Sequence, residues 1–314
     1  MSKPTQFIWM NGELIDADKA TIPFLNTALH YGVAVFEGIR CYQTPSGSAV
    51  FRLQEHIERL LDSAQILGFR SMPYTTDELI DAVNQVITAN GFTQCYVRPL
   101  IFAGGPQTSL NLDDCPASVG ITAWEWGAYL GEEAIEKGIR ANVSSFTRHQ
   151  PNVMMTKAKI SGNYANSILA KTESARLGFD EAIMLDPQGY VAECTGENIF
   201  LVRKGNIYTT PTAAILEGIT RDALLTICQD LGYEVIEQPV SRDQLYIADE
   251  VFVSGTAAEV VAVREIDFRQ IGNGKMGPVT RKIQQAFQET IHGNGKHSAE
   301  WLYPVKVASP ASVR

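Results

Sequence analysis

The sequence predicts an α+β fold of two domains, and three observations carry that expectation. Its 314 residues leave room for two cores, and a composition of 45% apolar and 19% charged residues reads as globular. Turn signals recur between apolar runs, at Asn11-Gly12, Pro45-Ser46-Gly47 and Asp186-Pro187-Gln188-Gly189. Strand-like and helix-like runs mix without the steady alternation of a doubly wound sheet, so antiparallel or mixed sheets are expected.

Taken in order, Phe7-Ile8-Trp9-Met10 and Glu13-Leu14-Ile15 flank Asn11-Gly12 as a two-residue hairpin. Val35 to Tyr42 and Ala49 to Leu53 read as strands. A helix is predicted from about Glu55 to Leu67, with Ile57, Leu60, Leu61, Ala64 and Leu67 on one face and Gly68 as its stop. A second helix opens at the capping box Thr75-Thr76-Asp77-Glu78 and ends at Asn90-Gly91. Cys95 to Phe102 and Val119 to Trp126 are apolar strands. The pattern breaks at Gly127-Ala128-Tyr129-Leu130-Gly131. We therefore expect a small N-terminal domain over 1–126, an interdomain loop over 127–133 and a larger C-terminal domain over 134–314.

In the second domain, Arg140 to Phe146 is strand-like, and Tyr164 to Leu177 is a helix stopped by Gly178. Ala182 to Leu185 pairs with Tyr190 to Cys194, and Asn198 to Val202 with Ile207 to Thr210, across short turns. Helices are predicted over Arg221 to Leu231 and Val279 to Ile291, with Glu250 to Val253 as a buried strand. The last twenty or so residues are polar, poorly patterned and expected to be partly disordered.

Several function classes are excluded by composition. No run approaches the ~20 apolar residues of a membrane span, and Met1-Ser2-Lys3-Pro4-Thr5-Gln6 precedes no apolar stretch of a secretory signal. A net charge of -9 without basic runs argues against nucleic acid as a partner. The five cysteines are scattered and odd in number, which fits reduced thiols in the cytoplasm. The five histidines show no metal-ligand spacing, so no metal site is expected. Gly272-Asn273-Gly274-Lys275-Met276-Gly277 matches a dinucleotide fingerprint, but no buried strand precedes it and too little chain follows; it reads as a turn.

The chemistry centres on Lys159, in Lys157-Ala158-Lys159-Ile160-Ser161-Gly162-Asn163-Tyr164, just before a Gly-Asn turn that opens a helix. A lysine so placed can form a Schiff base with an aldehyde cofactor; taken alone it is also compatible with a surface lysine at a helix start. Pyridoxal 5'-phosphate needs three further partners: an acid for the pyridine nitrogen, a donor for the phenolic oxygen and an anion site. Gly218-Ile219-Thr220-Arg221 precedes a helix, with Thr220 as the expected N-cap and Gly218 permitting close approach. Ser254-Gly255-Thr256-Ala257-Ala258 is a second small-residue turn suited to oxyanions. Glu193 stands among small and apolar residues and requires a cation if buried; an outward-facing strand position is the plain alternative, and Glu197 competes for the role. Arg59 is either a phosphate anchor or a helix arginine paired with Glu55 or Asp62. Tyr96 and Arg98 share one strand face, which suits a carboxylate or a cross-strand ion pair.

These stretches resemble the branched-chain amino acid aminotransferases of the class IV, fold-type-IV pyridoxal phosphate enzymes, which are D-amino acid aminotransferase-like in fold. The likeness runs from about Trp9 to Ile291. It is carried by Tyr31-Gly32-Val33-Ala34-Val35-Phe36-Glu37-Gly38-Ile39-Arg40, Tyr96-Val97-Arg98-Pro99-Leu100, Lys159 to Tyr164, Glu193 to Phe200, Gly218 to Arg221 and Ser254 to Ala257. The resemblance implies that Lys159 is catalytic and carries the cofactor. Glu193 would pair with the pyridine nitrogen and Tyr164 with the phenolic oxygen. Arg59, Gly218, Ile219, Thr220 and Thr256 would hold the phosphate. Phe36, Gly38, Arg40, Trp126, Tyr129 and Gly196 would bound the substrate pocket, with Tyr31 and Leu110 entering from a second subunit. Ala257 and Ala258, beside Thr256, would lie at the substrate carboxylate, and Tyr96 and Arg98 would receive the distal carboxylate of glutamate. The loop Gly104 to Leu110 departs in composition from that of the best-known bacterial members, so side-chain preference is where the likeness says least. Transfer of an amino group from leucine, isoleucine or valine to 2-oxoglutarate is the implied activity, in a homodimer or a hexamer built from dimers. A D-amino acid or (R)-amine transaminase, an aminodeoxychorismate lyase and a non-catalytic scaffold are the competing expectations.

Overall fold

The computed structural model describes residues 4–127 and 130–306. In chain order the elements begin with β1 (Phe7–Met10), β2 (Glu13–Asp16), α1 (Thr27–Tyr31), β3 (Ala34–Phe36), β4 (Ile39–Thr44), β5 (Gly47–Phe51), α2 (Leu53–Leu67), α3 (Thr76–Asn90), β6 (Cys95–Ala103) and β7 (Ala117–Trp124). Next come α4 (Glu132–Lys137), β8 (Ile139–Val143), α5 (Tyr164–Arg176), β9 (Glu181–Leu185), β10 (Val191–Cys194), β11 (Asn198–Arg203), β12 (Asn206–Thr209), α6 (Ile219–Asp230), β13 (Val235–Glu237) and α7 (Arg242–Tyr246). The chain closes with β14 (Glu250–Gly255), β15 (Glu259–Ile266), β16 (Arg269–Gln270), α8 (Pro278–Ile291), α9 (Ser298–Trp301) and β17 (Leu302–Pro304).

Contacts divide the chain into two compact units. The first comprises Met1–Trp126, Ala158–Gly162 and Thr290–Arg314; the second comprises Gly127–Lys157 and Asn163–Glu289. Two stretches expected in the C-terminal domain therefore cluster with the first unit. One holds Lys159: Ile160 bridges Val35, the Phe36 N–H donates to the Lys159 carbonyl at 3.0 Å, and the Gly162 N–H to the Gly32 carbonyl at 3.2 Å. The other is in the tail, expected to be partly disordered, of which residues 307–314 lie outside the described residues. Its β17 pairs with β5, and Trp301 is buried with its carbonyl accepting from the Arg52 N–H at 2.7 Å.

The first unit holds an antiparallel sheet in the order β17-β5-β4-β6-β7-β1-β2, with β3 also on β6. Asn11 and Gly12 both take positive φ, as the predicted two-residue turn requires. Helix α2 buries Ile57, Leu60 and Ala64, with Leu61 and Leu67 half-buried behind them, so the predicted apolar stripe faces the core. Helix α3 carries the capping box between Thr75 and Glu78 and stops at Gly91 in the left-handed region. The run Val35 to Tyr42 is not one strand: it breaks between β3 and β4 at Glu37 and Gly38.

The second unit holds a mixed sheet in the order β10-β9-β8-β15-β14-β11-β12-β13, with β16 on β15. Here β8 lies parallel to both β9 and β15, and β12 parallel to β13. Ile183, Ile199, Val251, Val253 and Val261 form its core with Leu245. The glycine-rich stretch at 272–277 is a turn: β16 before it is two exposed residues, and Gly272 and Gly274 both have positive φ. Among the described residues, no helix is long and apolar enough to cross a membrane.

Candidate active site

In the first unit the chain turns sharply after Phe36, and a glycine is needed there. A Cβ on Gly38 would lie 1.9 Å from the Tyr96 hydroxyl. The turn drives the Glu37 side chain into full burial, an expensive place for a carboxylate unless cations meet it. Arg59 meets it side-on, Nε to Oε1 at 2.7 Å and Nη2 to Oε2 at 2.9 Å, and His56 Nδ1 approaches Oε2 at 2.7 Å. Burial alone would raise the Glu37 carboxyl, but Arg59 and His56 outweigh it and hold it well below the usual carboxylate range. Arg59 thus pairs with neither Glu55 nor Asp62; Glu55 is held by Arg52 instead.

The Lys159 main chain is fixed at both ends of its peptide unit, its N–H donating to the buried Ser63 Oγ at 3.0 Å and its carbonyl accepting from Phe36. Its Nζ stands 5.3 Å from the Phe36 ring centroid. The Arg98 guanidinium lies 4.5 Å from the same ring centroid, and its Nη2 donates to the Tyr96 hydroxyl at 3.1 Å. The cross-strand residue opposite Arg98 is Thr122, so the alternative of an ion pair there does not hold. Tyr96 packs edge-on against Trp126 at 4.6 Å, and the Trp126 carbonyl accepts from Arg40 Nη1 at 3.0 Å. Phe36, Gly38, Arg40, Tyr96, Arg98, Trp126 and Lys159 are therefore brought together in one unit. Tyr31 and Leu110 stand on its surface, Leu110 89% exposed. Tyr129 lies outside the described residues.

In the second unit Glu193 is buried, not outward-facing: a register shift between Val191 and Glu193 re-aims the strand. Its Oε1 accepts from Arg148 Nε at 2.5 Å and its Oε2 from Asn198 Nδ2 at 3.2 Å, while the Leu216 N–H reaches both oxygens. Asn198 also donates to the Leu216 carbonyl at 3.0 Å, which fixes the approach to α6. That helix begins two residues earlier than predicted. Its N-cap is Gly218, with no side-chain cap, and Thr220 is a buried first-turn residue. An uncapped helix start of this kind leaves first-turn N–H groups for an anion. Gly255 pairs with Glu259, so Thr256, Ala257 and Ala258 form the β14–β15 turn. Tyr164 opens α5 and lines a cavity of about 190 Å³ with Lys171, Thr195 and Gly196.

Glu197 stands apart from Glu193. Burial first, then the Glu181 carboxylate, push its carboxyl up to about 8, and the Gly196 N–H donates to it at 3.2 Å. Glu181 takes Lys171 and Thr195 as partners. Of the two lysines near the turn, Lys157 is engaged by Glu217 and the Thr212 carbonyl within the second unit.

Sequence reasoning missed Glu37, His56, Arg148 and Asn198. Glu37 carried the same signal as Glu193, one carboxylate among apolar neighbours. Arg148, in Phe146-Thr147-Arg148-His149-Gln150, carried none.

The residues present match the four demands of pyridoxal phosphate. There is a lysine on a fixed backbone, a buried carboxylate paired with an arginine, a tyrosine hydroxyl, and a glycine-led helix start without a side-chain cap. The family model "Amino-transferase class IV" matches residues 34–266. The chain is 48% identical to the branched-chain-amino-acid aminotransferase of Pseudomonas aeruginosa, covering 95% of this chain and 97% of that one. It is 47% identical to the enzyme of the same name from Escherichia coli K12, covering 96% and 98%. It superposes on a crystal structure of a branched-chain amino acid aminotransferase with pyridoxamine 5'-phosphate at a TM-score of 0.93 and 48% identity, over 96% of this chain and 99% of that one. It also superposes on the branched-chain aminotransferase of the archaeon Thermoproteus uzoniensis with norvaline, at a TM-score of 0.91 and 42% identity, over 98% and 100%. With nearly half the sequence shared over almost the full length, the chain belongs to the branched-chain amino acid aminotransferases of the class IV aminotransferase family.

Proposed function

We propose that this chain transfers the amino group of L-leucine, L-isoleucine or L-valine to 2-oxoglutarate, reversibly, with pyridoxal 5'-phosphate as cofactor. The observation that carries this reading is the 48% identity to a branched-chain enzyme over nearly both full lengths. When bound, the cofactor supplies an electron sink for the bond broken at the amino acid's α-carbon. Lys159 would hold the cofactor aldehyde through its Nζ and, once the amino acid has displaced it, would move the α-proton as a free amine. Glu193, which accepts from Arg148, would pair with the pyridine nitrogen, and Tyr164 would donate to the phenolic oxygen. Gly218, Ile219, Thr220 and Thr256 offer donors to the phosphate, joined by Arg59. The N–H groups of Thr256 and Ala257, with Ala258 and Gly196 beside them, take the substrate's α-carboxylate. Phe36, Gly38, Arg40, Trp126 and Tyr129 shape the side-chain pocket, and Tyr96 with Arg98 receives the second carboxylate of glutamate.

We infer a homodimer as the active unit, with Tyr31 and Leu110 entering the partner's pocket. The exposed apolar side chains Ile22, Phe24, Leu25, Leu29 and Leu110 in the first unit support that reading. All five cysteines are free and buried, which fits the cytoplasm.

A screen of L- and D-amino acids and simple amines as donors tests the substrate class: turnover with L-leucine, L-isoleucine and L-valine is expected, and a preference for D-amino acids or (R)-amines overturns it. Borohydride reduction followed by peptide mapping tests the lysine. The cofactor should remain on Lys159, and Lys159→Ala should lose turnover while keeping its fold. Label on Lys157 would displace the assignment.

A further inference from the structure

We propose that Glu37 is a positioning residue for the cofactor's phosphate, acting through Arg59, with His56 as its brace. This rests on the reading that Arg59 contacts that phosphate. Three observations lead to it. First, Glu37 is wholly buried, and both its oxygens are used: Oε1 by Arg59, Oε2 by Arg59, His56 and the Gly38 N–H. A buried ion pair is a poor source of stability compared with apolar packing, so stability does not explain it. Second, the side-on contact through Nε and Nη2 fixes the plane and roll of the Arg59 guanidinium. The direction in which Arg59 presents its guanidinium to an anion is then already set, so little ordering is left for binding. Third, His56, Arg59 and Ser63 follow each other on one face of α2. The helix that holds Glu37 through His56 and Arg59 holds the Lys159 N–H through Ser63.

His56 suits a brace better than a second charge. Its Nε2 is buried with no hydrogen-bond partner, so the ring is neutral with Nδ1–H donating to Glu37. Burial pushes the ring below its usual value, against the pull of Glu37, and the Arg59 and Lys159 charges push the same way as burial. Arg59 thus carries the full positive charge against this carboxylate, and Glu37 orients it rather than sharing itself between two charges.

The test separates phosphate affinity from general damage to the fold. Apoenzyme is titrated with pyridoxal 5'-phosphate and with pyridoxal, which lacks the phosphate, and binding is followed by absorbance. Glu37→Gln should weaken pyridoxal phosphate about ten- to a hundredfold, the worth of a charge-assisted contact, and leave pyridoxal unchanged. Arg59→Gln should show the same selective loss, and the double variant should lose no more than Arg59→Gln alone. Equal weakening of both ligands by Glu37→Gln would make Glu37 a structural residue and overturn the proposal, as would additive losses in the double variant. A selective loss in Arg59→Gln with none in Glu37→Gln would overturn the positioning role while keeping Arg59 on the phosphate. No loss in Arg59→Gln would remove both. Should Glu37→Gln not fold, Arg59→Lys takes its place. It keeps the charge but cannot span both oxygens side-on. The selective loss is expected there too, and binding of pyridoxal phosphate as in the parent enzyme overturns the proposal.

Discussion

Arg98 stands over the Phe36 ring with one hydrogen bond to Tyr96, and its buried Nε has no hydrogen-bond partner. A site for both leucine and glutamate needs such a cation, able to take a carboxylate in one half-reaction and lie against an aromatic face in the other. Arg98→Met keeps the stem that packs on Phe36 and removes the fork. It should cost the glutamate half-reaction about 1.5–3 kcal/mol and change the leucine half-reaction little. Single-turnover rates with each amino acid, followed through the cofactor spectrum, check this; equal losses would make Arg98 a brace for its strand. Glu197 gives a second test at this scale. Its carboxyl, ordinarily at 4.5, is pushed up to about 8 in the folded chain by burial and by Glu181. The folded state therefore holds a proton that the unfolded state has released, and stability falls as pH rises across that window, by at most about 1.4 kcal/mol per pH unit. Glu197→Gln, a neutral isostere, should flatten that slope in urea unfolding of the apoenzyme. Identical slopes in both proteins would mean that Glu197 is ionised when folded. Sequence pattern singled out Glu193 as a charge among small and apolar neighbours, and Lys159 by its place just before the Gly-Asn turn that opens a helix. The same pattern could not give Glu193 or Arg59 its cation or anion, since Arg148 and Glu37 are distant along the chain.

At the scale of elements, helix α6 begins where three contacts meet. A Cβ on its N-cap, Gly218, would lie 2.1 Å from Asn198 Oδ1. Asn198 is the residue that ties Glu193 to the Leu216 carbonyl. Gly218→Ala should therefore push Asn198 off both partners, costing about 1–3 kcal/mol as an overpacked site. On the cofactor roles proposed for the α6 start and for Glu193, it should also weaken cofactor retention. Thermal unfolding and cofactor content on gel filtration would show this together; loss of one without the other would separate the helix start from Glu193. Elements whose ends are set locally were legible. Helix α3 announces both ends, by its capping box and by Gly91. Helix α6 was placed two residues late because Thr220 has the chemistry of an N-cap, while the cap is a glycine selected by its closeness to Asn198. The β3–β4 break at Glu37 and Gly38 was read through, because the strand-like residues on either side of it look like one strand, and the closeness of Tyr96 to Gly38 is a long-range contact.

At the scale of the whole chain, turns and apolar periods pointed to two domains with a first break after Trp126. They did not predict that the first unit is drawn from three separated stretches, because pairing across such distances leaves no local pattern. The tail looked unstructured on composition, yet Trp301 is buried and β17 completes a sheet edge. This arrangement constrains how the chain comes to fold. On the ribosome, most of the first unit's sheet emerges early, but Ala158–Gly162 and β17 follow only after long stretches that belong to the second unit. Loops of that length close at an entropic cost that contacts repay only late. Until then β5 is an open edge able to pair with another nascent chain. A chain stopped before Trp301 should accumulate in that exposed form, with Lys159 already anchored but its sheet unfinished.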